Sequence, residues 1–171
     1  MFPINKERTM NIFAVNEDPV ISARESCDAH SIKMPLEVAQ MLCTNLHLWG
    51  LEAPYKPTHK NHPCTKWARE SLGNWKWLLA YGNGLGEEYT RRYGKTHKSH
   101  LVIKECAKAL VPLLGERTPF ALAMDVKWKL DNPYASYQYY IANKVFKNGS
   151  IPTWKHTSTP QWFHQYKENA Q

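Results

Sequence analysis

Four features are missing from this chain, and each absence removes a class of protein. No apolar run reaches the length of a signal peptide or a membrane-spanning helix, so no membrane partner is expected. Cys27, Cys43, Cys64 and Cys106 are scattered without CxxC spacing, which argues against a disulfide framework and for a reducing, intracellular, cytoplasmic setting. Strand-like alternation is scarce and no segment repeats, so the expected class is mainly α, a compact helical fold with long loops. Acids are thin: 15 Asp and Glu stand against 22 Lys and Arg, and from Tyr134 onward Glu168 is the only one. A net charge of +7 suits a polyanionic partner, with nucleic acid first.

What is present fits one domain, since 171 residues with 43% hydrophobic content can bury a sizeable core. Residues 1–9 read as a polar N-terminal appendage, and residues 10–171 as a single helical domain ending in an aromatic and basic segment. A monomer is expected. Met10 stands beside Met1 as a candidate start, because the apolar signal begins only with Met10 to Val15, a short buried or extended segment. Asp18-Pro19 then gives an N-cap with proline at the first helical position, opening a short helix toward Cys27.

The most mixed stretch runs from Cys27 to Leu42. From Pro35, the residues Val38, Met41, Leu42, Leu46 and Trp49 recur at the three-and-four spacing of one buried helical face. Lys33 and Glu37 do not fit that face, and Asp28 and His30 stand before it in the same stretch. Met34-Pro35 reads as a helix start or a bend, and a continuous helix stacks His30, Lys33 and Glu37 along one side. Ionisable groups among apolar neighbours near a helix end make the candidate catalytic set, with a solvated Lys33–Glu37 surface pair as the plain alternative.

After Gly50 the prolines of Pro54 to Pro63 rule out a regular helix. His59, His62 and Cys64 are metal-binding types, but zinc takes about four ligands and no partner pair stands at a familiar spacing, so no metal and no cofactor is assigned. His59, Lys60, Asn61 and His62 read as donors toward phosphate or a base, or as a plain loop; Arg69 follows as a further cation. Thr65 is expected to cap one long helix carrying Trp67, Ser71, Trp75, Leu78, Leu85, Tyr89 and Tyr93. Within it Gly82, Gly84 and Gly86 mark close packing or a break; with no strand before them they are no phosphate-binding turn. Arg91, Arg92, Lys95 and Lys98 form a cationic segment before a helix expected from Leu101 to Val111. Thr118 to Ala121 reads as the opening of a short helix, and Asp131-Asn132-Pro133 closes that connection. The late aromatics, Tyr137 and Tyr139 among them, mix with Lys144 and Lys147, which suits stacking on exposed bases, or an aromatic hairpin on the core.

Asp28-x-His30 with Glu37 seven residues on resembles the opening helix of the phage endonuclease V type of pyrimidine-dimer DNA glycosylase. His62 before a long helix ending Glu88-Tyr89-Thr90-Arg91-Arg92-Tyr93-Gly94, and Tyr137-x-Tyr139-Tyr140 with Lys144, are similar to it too, over roughly residues 11–147. The resemblance implies an all-α fold that kinks duplex DNA, extrudes a nucleotide and attacks the sugar C1′ with an amine. It makes Glu37 the residue assisting that chemistry, and the α-amine of a processed N-terminus the nucleophile. Here bulky Phe2 or Asn11 follows the candidate start, and Leu36 and Gln40 replace arginines that flank the family's glutamate. Lys33, one turn before Glu37, is the alternative amine. Three readings follow: a glycosylase/AP-lyase on a damaged or modified pyrimidine, a phage-type base-modifying transferase on the same scaffold, and a non-catalytic nucleic-acid-binding module.

Overall fold

The computed structural model describes residues 10–168; residues 1–9, read as an appendage, lie outside the described residues. Seven α-helices and no strand occur among them: α1 Pro19–Arg24, α2 Asp28–Leu48, α3 Pro63–Ala68, α4 Leu72–Tyr93, α5 Lys98–Cys106, α6 Pro133–Ala142 and α7 Gln161–Tyr166. The all-α class is therefore as read from the sequence. No described helix is long and apolar enough to cross a membrane.

Met10 to Val15 is a buried thread outside any helix or strand. Its backbone is satisfied from outside any ladder: the Ser22 hydroxyl donates to Phe13 O and accepts from Val15 N. Asp18 caps α1 as expected, accepting from Val20 N and Ile21 N with Pro19 at the first position. The helix start offered at Met34-Pro35 is replaced, because α2 begins seven residues earlier and runs through Pro35. Asp28 N donates to Thr153 O, and the Asp28 carboxylate accepts from the Thr153 hydroxyl and Lys155 N, so the C-terminal segment supplies the cap that Cys27 lacks. Val38, Met41, Leu42 and Leu46 are fully buried along α2, whereas Trp49 lies just beyond its end and half-buried.

The single long helix expected after Thr65 is two. His62, not Thr65, caps α3, and Ser71 caps α4 by accepting from Asn74 N. Asn74 stabilises the junction, its amide donating to Trp67 O and the Thr118 hydroxyl while its carbonyl accepts from Thr118 N. Those bonds also hold Thr118 outside any helix, so Thr118 to Ala121 stays irregular and the connection contains only a 3-10 turn, Val126–Trp128. The helix expected to reach Val111 stops at Cys106. In α4 the glycines mark close packing rather than a break. A Cβ on Gly82 would lie 2.6 Å from Val38 Cγ1 on α2, and one on Gly86 2.1 Å from the His100 ring on α5. Helices α1, α2 and α5 thus pack closely against α4.

Asn132 caps α6, with Pro133 in its first turn. Tyr137 on that helix is fully buried, its hydroxyl 2.8 Å from Asn11 Oδ1 and 2.9 Å from Ala121 O. This corrects its reading as a stacking platform: the ring is core, and it anchors the N-terminal thread. Tyr139 is half-buried, with its hydroxyl donating to Glu168. Truncating Tyr137 to alanine should therefore cost roughly 3–5 kcal/mol. Tyr137→Phe, which removes the hydroxyl proton shared between Asn11 Oδ1 and Ala121 O, should cost about 1–3 kcal/mol, both read from urea unfolding midpoints.

Candidate active site

A cavity of about 460 Å³ opens between α2, the thread and the segment after α6, within the roughly 300–1,000 Å³ typical of sites that enclose small ligands. One wall is helical: His30, Lys33, Met34 and Glu37 are spaced three, one and three apart and so share a side of α2. The opposite wall is Phe13 from the thread with Tyr140, Lys144 and Phe146. The stacking of His30, Lys33 and Glu37 expected from the sequence is present. Glu37 is, however, the tenth residue of α2, so it receives no help from the helix end.

Glu37 is held by two partners. Its Oε1 accepts from the backbone N–H of Asn11 at 3.2 Å, and its Oε2 lies 3.4 Å from Lys33 Nζ. The lysine side chain is 54% exposed and the glutamate 9%, so this is a half-buried pair and not a solvated one. Burial raises the Glu37 pKa above the usual carboxylate range, with Lys33 and the Asn11 bond opposing it. A carboxyl of that kind takes up a proton more readily than a surface glutamate, as an acid–base group requires.

His30 lies flat on Phe13, with ring centroids 4.0 Å apart and planes 4° from parallel, and meets Phe146 edge-on. Burial first, then the charges of Lys144 and Lys33, push its imidazole down to about 3, so it is neutral throughout the physiological range. Its Nδ1 is buried without a hydrogen-bond partner. Lys144 Nζ sits over the Tyr140 ring at 5.0 Å and the Phe146 ring at 5.6 Å, and donates to the Tyr140 hydroxyl. Phe146 was among the late aromatics read as stacking surfaces, whereas Phe13 and the Asn11 amide were not singled out from the sequence. Aromatic character alone cannot distinguish a cavity wall from core, and a backbone N–H carries no residue signal. The thiols offer no nucleophile beside this site, since burial pushes Cys27 up to about 11 and Cys64 up to about 12.

The remaining candidates are dispersed. Asp28 faces away from the cavity, tied to Thr153, Lys155 and, at 3.6 Å, Arg92 Nη1. Arg92 is buried: its Nε donates to Glu88 at 2.6 Å and its Nη2 to Arg24 O. Arg91 pairs with the same glutamate, so the cationic face imagined across Arg91, Arg92, Lys95 and Lys98 keeps only Lys95 and Lys98 unpaired and exposed. Arg69 braces a loop, donating to Asn45 Oδ1 and Lys60 O. Lys60 and Asn61 are exposed; His62 Nδ1 accepts from Cys64 N in the α3 cap. Among the described residues no three His, Cys, Asp or Glu side chains gather as a metal site. His59 reaches a second, smaller cavity that shares Lys33 and Glu37 with the first.

The model of the family described as pyrimidine dimer DNA glycosylase matches residues 10–101, more than half of the chain. That span contains α1 to α4 and the whole helical wall of the cavity. Neither a curated protein nor a solved structure gives a match.

The buried imidazole has a measurable signature. Its folded pKa is depressed, so the unfolded chain binds a proton that the folded chain refuses, and stability is lost as pH falls from about 6.5 toward 3. Glu37, with a raised pKa, contributes in the opposite sense. His30→Phe keeps an aromatic stack on Phe13 and should remove up to about 1.4 kcal/mol per pH unit from the acid-side slope, read from urea unfolding between pH 7 and pH 4.

Proposed function

Because the chain belongs to the pyrimidine dimer DNA glycosylase family, we propose that it excises a damaged or modified pyrimidine from duplex DNA and acts as an AP-lyase, with the target nucleotide extruded into the larger cavity. One observation carries this reading: a buried carboxyl, an amine and a neutral imidazole line the same cavity. Extrusion is required because C1′ and the glycosidic bond are inaccessible in a stacked duplex. Phe13, Tyr140 and Phe146 give the apolar walls that a base displaced from its stack needs, and Lys144 offers a donor to a base carbonyl.

In the chemistry proposed, Glu37 takes a proton from Lys33, and the freed amine forms a bond to C1′ as the electron pair of the C1′–N bond leaves with the base, which then takes one of the two protons remaining on the attacking nitrogen. Glu37 then returns its proton to the sugar ring oxygen as the ring opens and the imine forms. A second amine position is favoured by the placement of Asn11 N against Glu37 Oε1. In a chain beginning at Asn11 that nitrogen would be an α-amine in contact with the carboxylate, as the resemblance to the endonuclease V type implies.

Borohydride trapping on duplexes carrying dimers, abasic sites or modified thymines tests the reading. Glu37→Gln should retain fold and DNA binding and lose about 10²–10⁴-fold in turnover. Lys33→Arg keeps the charge but raises the pKa beyond use as a nucleophile, so trapping should vanish while binding survives. An active Lys33→Arg protein, with the adduct mapped by mass spectrometry to the N-terminal peptide, would assign the nucleophile to the α-amine. Full activity of Glu37→Gln would reduce the site to an ion cluster. New base masses in the product would mark a transferase, and binding with neither outcome a non-catalytic module.

DNA binding should weaken steeply with salt. Lys95→Gln and Lys147→Gln, both at exposed positions, should each lower the log–log slope by about one unit if the lysine touches phosphate. Arg92→Gln should leave that slope unchanged and lower the melting temperature instead, because its guanidinium is committed inside the fold.

A further inference from the structure

Lys33 and Glu37 are a partition. On their other side from the larger cavity lies a second, open cavity of about 190 Å³, whose lining among the described residues adds Met10, Leu36, Gln40 and His59. It is too small to share a nucleotide with the first, yet a water's share of volume is about 30 Å³ and a held water needs two to four polar partners. Glu37, Lys33, Gln40 and His59 supply them.

His59 is not an ordinary loop residue. It is the one non-glycine among the described residues with a positive φ, 52°, a conformation that costs free energy and persists only where the surroundings impose it. They do so from both sides. The Thr44 hydroxyl accepts from Thr58 N and donates to Thr58 O, Arg69 holds Lys60 O, and His62 N donates to His59 O. The ring is fixed too, with Nδ1 2.8 Å from the Thr58 hydroxyl, while Nε2 makes no hydrogen bond. A strained backbone, a pinned ring and a free nitrogen at a cavity edge beside Glu37 form a built arrangement.

We infer that the smaller cavity holds the water that frees the sugar from Lys33, and that His59 Nε2 takes the first proton from it; this rests on the amine route proposed above. The water oxygen bonds to C1′ of the imine as one proton passes to His59. That proton returns through Glu37 to the nitrogen, and the C1′–N bond breaks with its electron pair on Lys33. The hydroxyl proton follows as the aldehyde forms, so both protons of the water end on the Lys33 ammonium. His59 therefore acts after the covalent step, on release.

The test is a burst experiment on a duplex containing one abasic site, with strand cleavage followed from the first turnover into steady state. His59→Asn removes the imidazole but tolerates the left-handed backbone. It should cleave about one duplex per enzyme in a burst at near the wild-type rate, turn over at least tenfold more slowly thereafter, and show a larger borohydride-trapped fraction at steady state. Gln40→Leu, outside the loop, should shift the same split in the same direction. Burst and steady-state rates falling together, or neither changing, would overturn the inference while leaving the amine reading intact. A wild-type protein that traps no adduct would overturn both, through the amine reading.

Discussion

A guanidinium with no access to water, that of Arg92, sets the terms for the rest of this structure. Leaving such a charge unpaired inside a protein costs several kcal/mol, so the chain must bring acceptors to it. Glu88, from one turn earlier on α4, and Arg24 O, from the end of α1, accept its hydrogen bonds, and Asp28, from the first turn of α2, adds an ion pair at 3.6 Å. Burial pushes the Glu88 carboxyl up, but its bonds to Arg91 and Arg92 outweigh that and hold it below the usual range. Three helices are thereby fixed at one point. Asp28 passes the constraint on to Thr153 and Lys155, which fixes where α2 begins, and with it which residues of α2 turn toward the cavity.

The cavity that results carries less charge than its residue list suggests. Burial moves Glu37 up and His30 down, and each shift favours the neutral form. Lys33, Lys144 and Lys147 are the basic side chains that line it, Lys33 half-exposed and Lys144 cushioned on aromatic faces. An uncharged base can enter such a space without displacing a strongly hydrated ion, and the negative charge it acquires on leaving would find lysine nearby.

How much of this could be read from the residues depended on whether the signal was periodic or spatial. The buried face of α2, the cap at Asp18 and the close packing offered, beside a break, at Gly82 and Gly86 follow from spacing and residue type, and they stand as expected. The division between α3 and α4 did not follow, because Thr65 and Ser71 are both good caps and the apolar pattern runs across the gap; the deciding contact, Asn74 with Thr118, joins residues 44 apart. Arg92 looked like part of a basic surface, although its spacing of four from Glu88 was a visible hint of a pair. Tyr137 looked like a platform for bases until Asn11, 126 residues away, was seen to need its hydroxyl. The backbone of His59 has no counterpart in composition at all.

The clasp between Asp28 and the 153–155 segment spans 125 residues or more, and Glu25, which accepts from the indoles of Trp154 and Trp162, extends it. Contacts that far apart in sequence form slowly and late. During synthesis Phe13 and the helical wall of the cavity leave the ribosome well before Tyr140, Phe146 and the strap that seats α2. A nascent chain that stops short of the 153–155 segment therefore carries Glu37 and Lys33 on a helix whose first turn has not yet been seated.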